Sequence, residues 1–225
     1  MNEKQEAVFW ETIRILDSQG VLPDLILIGS WVEYIYAESN YFSGFQPNIR
    51  TIDLDFLIPN IRRPAKKVPL CDVMERHGFM TQQRNDGLIK FSNFEGPLEV
   101  EFLVRDMGQG QIEPYTVEGL GIKAAGLRHL DILIQWTTTL FIRLYQLLVP
   151  LPEAYVLHKL VINNKRLQGM KQKKDLMSIE ELLPFIKSSG QNLAKLKEIY
   201  DNGLTRNERA LVDTTCKANL IRLFN

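Results

Sequence analysis

The chain has 225 residues, enough to bury a substantial core as one large domain or two small ones. Hydrophobic residues make up 45% and charged residues 24%, which excludes the disordered and fibrous classes. Lys plus Arg and Asp plus Glu each number 27, so no global field draws the protein toward nucleic acid or a membrane surface.

The two cysteines, Cys71 and Cys216, are far apart and make no disulfide framework, which fits a reducing compartment. The N-terminus mixes charges of both signs and leads into an amphipathic pattern, not a signal core. The greasiest stretch, Thr139 to Pro150, is too short to span a bilayer and contains Arg143. The expected location is the cytoplasm, with no membrane partner.

Phe9, Ile13 and Leu16 recur at helical spacing and Gly20 stops them, predicting a helix over about residues 3–19. Leu25 to Ile28 is a short apolar run ending in Gly29, the pattern of a buried strand that turns sharply. Ser30 and Glu33 have the form of a capping box for a second helix carrying Trp31, Tyr34 and Ile35. Asn40 to Asn48 reads as a loop, and Ile52 to Ile58, closed by Pro59, as a strand. A short helix over Cys71 to His77 precedes extended segments from Phe79 to Val104, broken at Asn85-Asp86-Gly87 and Glu95-Gly96-Pro97. The last of these segments is Leu98 to Val104. After Pro150 the periodicity is helical, with helices expected from Pro152 and over about 171–188, 190–200 and 204–222. The fold class is α/β of the α+β kind: a mixed sheet with flanking helices, then a helical C-terminal part. The expected organisation is residues 1–135 as one domain and 150–225 as a helical one, with the seam near 135–150.

Candidate chemistry lies on two strands. Side chains at i and i+2 share a strand face about 6–7 Å apart, so Asp53 and Asp55 project together, and Glu99 and Glu101 repeat the arrangement. Carboxylates paired this way among Ile, Leu and Phe repel unless a cation lies between them. Hard divalent cations take oxygen ligands, and three converging carboxylates can hold two ions for phosphoryl or nucleotidyl transfer. Standing alone, an Asp-x-Asp reads more readily as a solvated strand face than as a metal site. A strand ending in Gly29-Ser30 ahead of a helix presents backbone N–H groups and the positive helix end, a seat for phosphate; Ser30 acting only as a helix cap is the competing reading. The histidines His77, His129 and His158 show no metal-ligand spacing, and Phe9, Trp10, Trp31 and Trp136 read as core.

Ile28-Gly29-Ser30, Asp53-Leu54-Asp55-Phe56 and Val100-Glu101-Phe102, in this order, resemble the nucleotidyltransferase superfamily that includes DNA polymerase beta, the antibiotic nucleotidyltransferases and the AbiEii-type toxins. The 22 residues between Ser30 and Asp53 exceed the family's usual gap, leaving the Asn40–Asn48 loop to absorb the excess. Downstream, Pro150 to Pro152, His158-Lys159-Leu160, Lys165-Arg166 and Lys174-Asp175-Leu176 resemble a bacterial subgroup of nucleotidyltransferase-like proteins. The resemblance implies an enzyme that moves a nucleoside monophosphate from an NTP such as ATP to a hydroxyl acceptor: a small molecule, a tRNA end or a protein side chain. It implies two Mg²⁺ ions, with Mn²⁺ as the substitute, held by Asp53, Asp55 and Glu101, with Glu99 as the alternative third carboxylate. Glu101 would also favour deprotonation of the acceptor hydroxyl. Gly29, Ser30, Lys159, Arg166, Lys174 and Asp175 would serve the nucleotide. Lys159 and Arg166, seven apart, would share a helix face, and Asp175 would orient a neighbour such as Lys171. Lys165, Lys171 and Lys173 read as a solvated face. The alternative is a catalytically inactive fold of this type that serves as a binding or regulatory module.

Overall fold

A computed structural model describes residues 3–48, 51–106, 108, 113–166 and 169–224. Helix α1 (Glu3–Ser18) buries Phe9, Ile13 and Leu16, the stripe read from the sequence, and Gly20 ends the segment in a left-handed conformation. Strand β1 (Ile26–Ile28), buried throughout, runs into helix α2 (Trp31–Glu38). Strand β2 (Asp53–Ile58), helix α3 (Leu70–Arg76) and strands β3 (Met80–Gln83), β4 (Ile89–Asn93) and β5 (Leu98–Arg105) follow as expected.

These strands form one mixed sheet in the order β1-β2-β5-β4-β3. Strands β2 and β5 run parallel at its centre, with β1 antiparallel to β2 and β4 antiparallel to β5. Strand β7 (Ile122–Leu127), paired with the short β6 (Tyr115–Val117), adds in parallel to the far end of β5, beyond the stretch that β4 covers. Alternation then sorts the side chains. Leu54, Phe56, Val100 and Phe102 enter the core, and Phe102 packs against Phe56 and Phe91 at ring-centroid distances of 5.7 and 6.2 Å. The opposite face of the same strands carries Asp53, Asp55, Glu99 and Glu101.

After the short helix α4 (Asp131–Gln135), the region expected to be a seam forms a β-hairpin, β8 (Thr137–Ile142) with β9 (Tyr145–Pro150). Its turn places Arg143 at φ 55°, a conformation usually signalled by Gly, Asn or Asp, so no residue there marks a hairpin. Helices α5 (Pro152–Asn163), α6 (Met170–Lys187), α7 (Gly190–Glu198) and α8 (Arg206–Ala218) complete the chain. Among the described residues no helix is long and apolar enough to cross a membrane. One connected cluster of buried side chains runs from Phe9 to Leu223. The loop after α2 is tied down by Phe42 and Phe45, whose rings lie 5.8 and 5.3 Å from Phe185 on α6. The fold class matches the sequence reading.

The buried aromatic trio under the sheet predicts the response of the fold. Phe102→Ala should cost roughly 3–5 kcal/mol in urea unfolding, because the lost ring leaves a cavity that the flanking strands cannot close.

Candidate active site

Strand register brings the acidic residues into one patch. Asp53 is level with Glu99 and Asp55 with Glu101 across the parallel β2–β5 pair, all four on the face away from the aromatic core. Carboxylate oxygens of Asp53, Glu99 and Glu101 lie within 4.8 Å of one another. At that separation two unscreened charges repel by roughly 3–4 kcal/mol at an effective dielectric near 20. Both Glu99 and Glu101 thus join the converging group, while Asp55 stands beside it, drawn against the β1–α2 turn.

Gly29 makes that position possible. It has φ +74°, and a Cβ at this residue would sit 2.5 Å from Asp55 Oδ2, so the glycine answers both a left-handed backbone and a carboxylate packed on it. Burial pushes the Asp55 carboxyl up to about 7, with the charges of Glu101 and then Asp53 adding to the effect. Lys171 and Lys90 act in the opposite direction.

The capping-box reading of Ser30 is corrected. Ser30 is the N-cap residue of α2 but makes no side-chain cap hydrogen bond. Instead the N–H groups of Val32 and Glu33 reach back to the Gly29 and Ser30 carbonyls at 3.3 and 3.1 Å. Glu33 is buried and accepts a 2.6 Å hydrogen bond from the Tyr155 hydroxyl, a partner 122 residues away. The Ser30 hydroxyl therefore faces the cavity without a capping duty.

That cavity, about 440 Å³, has the carboxylates on one wall and cations on the others. Gly29, Ser30, Asp53, Asp55 and Glu101 line it, as do Lys159, Arg166, Lys171, Lys174 and Asp175. A more apolar cavity of about 300 Å³ adjoins it, sharing Gly29, Asp55, Lys159 and Arg166 and extending between the sheet and α5. The expectation that Asp175 orients Lys171 is replaced by a different pairing. Asp175, 3% exposed, accepts from Lys159 Nζ at 3.0 Å and lies 2.7 Å from Arg166 Nε. Lys159 and Arg166 do not share a helix face, since α5 stops at Asn163; Asp175 on α6 gathers them from either side of that end. Lys171, expected to be only solvated, lines the carboxylate cavity, and Lys165 lies 2.8 Å from His129 Nε2. His129 also contacts Glu208 at 2.8 Å, His77 sits beside Glu11, and His158 is pushed down to about 3 by burial; none joins the acidic group.

Lys90 is the site residue that sequence reasoning missed. It stands opposite Glu101 on β4, donates a hydrogen bond to Glu101 Oε1 and lies 3.9 Å from Glu99 Oε2. Burial works to lower its pKa, but the hydrogen bond to Glu101 and the charges of Glu101, Glu99 and Asp53 outweigh that and hold it above the ordinary lysine value. Only the β4–β5 register reveals the pairing; the signal available in the sequence was a single lysine between Ile89 and Phe91.

A family model described as "Nucleotidyltransferase" matches residues 9–199. The chain belongs to the nucleotidyltransferase family. Transfer of a nucleotidyl group is the activity for which the family is named. Two solved structures of the antibiotic-resistance factor ANT(2'')-Ia share the fold. The solution structure has a TM-score of 0.50 at 13% identity and covers 98% of this chain and 97% of that one. The crystal structure with adenylyl-2''-tobramycin has a TM-score of 0.50 at 12% identity, covering 96% and 98%. An antigenic nucleotidyltransferase-like protein from Paracoccidioides brasiliensis aligns at 15% identity with a TM-score of 0.47, covering 96% and 94%. No curated protein matches the sequence.

The folded Asp55 keeps its proton to higher pH than the unfolded chain does, so stability should fall as pH rises from about 4 to 7, measured without divalent ions. Asp55→Asn should flatten that slope and leave the protein about 1–4 kcal/mol more stable at pH 8 in urea titrations. Gly29→Ala should lower stability by about 1–3 kcal/mol through its positive φ and the clash with Asp55.

Proposed function

We propose that the protein transfers a nucleoside monophosphate from an NTP to a hydroxyl acceptor, using a divalent metal ion at the acidic patch. The observation that carries this reading is the convergence of Asp53, Glu99 and Glu101, two of which, Asp53 and Glu101, line a cavity whose facing walls are Gly29-Ser30 and the basic ends of α5 and α6. Family membership supports the reaction class.

The donor set suits Mg²⁺ or Mn²⁺: carboxylate oxygens alone, on adjacent strands, within 4.8 Å of one another. Asp53, with Asp55 and Glu101 beside it, would hold the ion, and Glu99 completes the converging group. When bound, the ion neutralises charge on the phosphates and favours ionisation of the attacking hydroxyl.

The remaining steps belong to the chain itself. The N-terminal end of α2 and the Ser30 hydroxyl bind phosphate oxygens, aided by the helix dipole. Lys159 and Arg166, held by Asp175, and Lys174 offset the charge of the triphosphate. Glu101 accepts the proton of the acceptor hydroxyl. The hydroxyl oxygen bonds to the α-phosphorus, the bond from that phosphorus to the bridging oxygen breaks, and pyrophosphate leaves with the electron pair. Lys159 and Asp175 are buried together and the partly exposed Arg166 pairs with the same carboxylate, which supports a phosphate-binding wall organised before substrate arrives.

NTP carrying a labelled α-phosphate, incubated with Mg²⁺ and extracts of small molecules, tRNA or protein, tests the proposal. Label should enter an acceptor, and Asp53→Asn should slow transfer by at least about a hundredfold, the equivalent of about 2.7 kcal/mol of lost stabilisation. Calorimetry that finds no heat with any NTP and Mg²⁺, and no difference between the wild type and Asp53→Ala, would instead support a binding module.

A further inference from the structure

Four carboxylates share one sheet face, and the neighbouring strand supplies a cation to them. Lys90 reaches that face because its position on β4 is level with Glu101, and the strand alternation that puts Glu99 and Glu101 on that face puts Lys90 there too. Its ammonium is hydrogen-bonded to Glu101 and lies near Glu99, so it contacts two of the three residues whose oxygens converge. The Asp53 side of the patch has no such contact with Lys90; the Thr51 hydroxyl lies 3.4 Å from Asp53 Oδ2. The patch is therefore unsymmetrical, with a built-in cation at its β5–β4 side and open carboxylate at its β2 side.

We propose that Lys90 takes the place of one of the two cations such a patch would otherwise require, so that the centre binds one divalent ion rather than two. The proposal rests on the metal-dependent reading above. An ammonium fixed by strand register permanently offsets one of the two negative charges of Glu99 and Glu101, at a position no ion has to be recruited to fill. One divalent ion then suffices, held by Asp53 with Asp55 and Glu101 beside it. Glu101, hydrogen-bonded to the Lys90 ammonium, remains available on its other oxygen to take the acceptor proton. Lys90 is in this account a charge-balancing and positioning residue, and its effect is read in the number of ions bound.

The test is Mn²⁺ titration of the full chain without nucleotide, counting bound ions by the loss of the free-ion electron paramagnetic resonance signal. The wild type should bind one ion. Lys90→Met, which keeps the side-chain length and removes the charge, should bind two, with the first at least tenfold tighter than in the wild type. Lys90→Arg should stay at one. Circular dichroism checks that each variant folds, and if Lys90→Met does not, the wild-type count alone still decides. Two ions of comparable affinity in the wild type would overturn the proposal. So would a Lys90→Met protein unchanged in number and affinity while Asp53→Asn loses its ion, a result that leaves the metal-dependent reading standing. No Mn²⁺ bound by any form would overturn both.

Discussion

The rest of the site depends on one electrostatic constraint: Asp53, Asp55, Glu99 and Glu101 occupy one face of two adjacent parallel strands. Hydrophobic burial on the other face, through Leu54, Phe56, Val100 and Phe102, fixes the strands in register and leaves the carboxylates no freedom to move apart. The core imposes the repulsion, and the surroundings are arranged to meet it. Lys90 pairs with the β5 carboxylates, Lys171 acts on Asp55, and Asp55 itself is raised toward neutrality by burial and by its neighbours. Gly29 leaves room for the Asp55 carboxylate where any side chain would collide with it.

A second layer of organisation couples the helical C-terminal part to this sheet. Glu33 on α2 accepts from Tyr155 on α5; the Lys159 ammonium lies 4.9 Å from the Tyr155 ring centroid and pairs with Asp175 on α6. Buried polar groups are costly unless partnered, so this chain of contacts fixes α2, α5 and α6 relative to one another. The same contacts place cations across the cavity from the carboxylates. Phosphate chemistry needs both: oxygen ligands for a metal ion on one side and positive groups for the phosphates on the other. Here the two sides come from residues far apart in the chain, the carboxylates on β2 and β5 and the cations on and between α5 and α6, held by packing and not by local sequence.

The parts of this arrangement that depend on short-range pattern were legible in the sequence. The apolar flanks of Asp53 and Glu101 announced strands, and a period of two put each acidic pair on one face. Parts that depend on register or distant partners were not. Glu33 follows Ser30 with the spacing of a capping box, yet its partner is Tyr155, so local pattern pointed to the wrong role. Lys90 acquires meaning only once β4 is known to lie beside β5 with Lys90 level with Glu101. Asp175 looked like a neighbour of Lys171 because helical spacing is visible in sequence, whereas its contacts with Lys159 and Arg166 require α5 to end where it does. The β8–β9 hairpin escaped because its turn uses Arg143 and Leu144 in place of the usual Gly or Asn.

If the acidic patch is a strained binding site awaiting a cation, ligand binding should relieve the strain and appear as stability. Thermal unfolding followed across a Mg²⁺ titration is the most direct measurement. The account predicts a melting temperature that rises with Mg²⁺ in the wild type, by several degrees at saturation, and little or no rise in Asp53→Asn. A melting temperature indifferent to Mg²⁺, or raised equally in the wild type and Asp53→Asn, would contradict it.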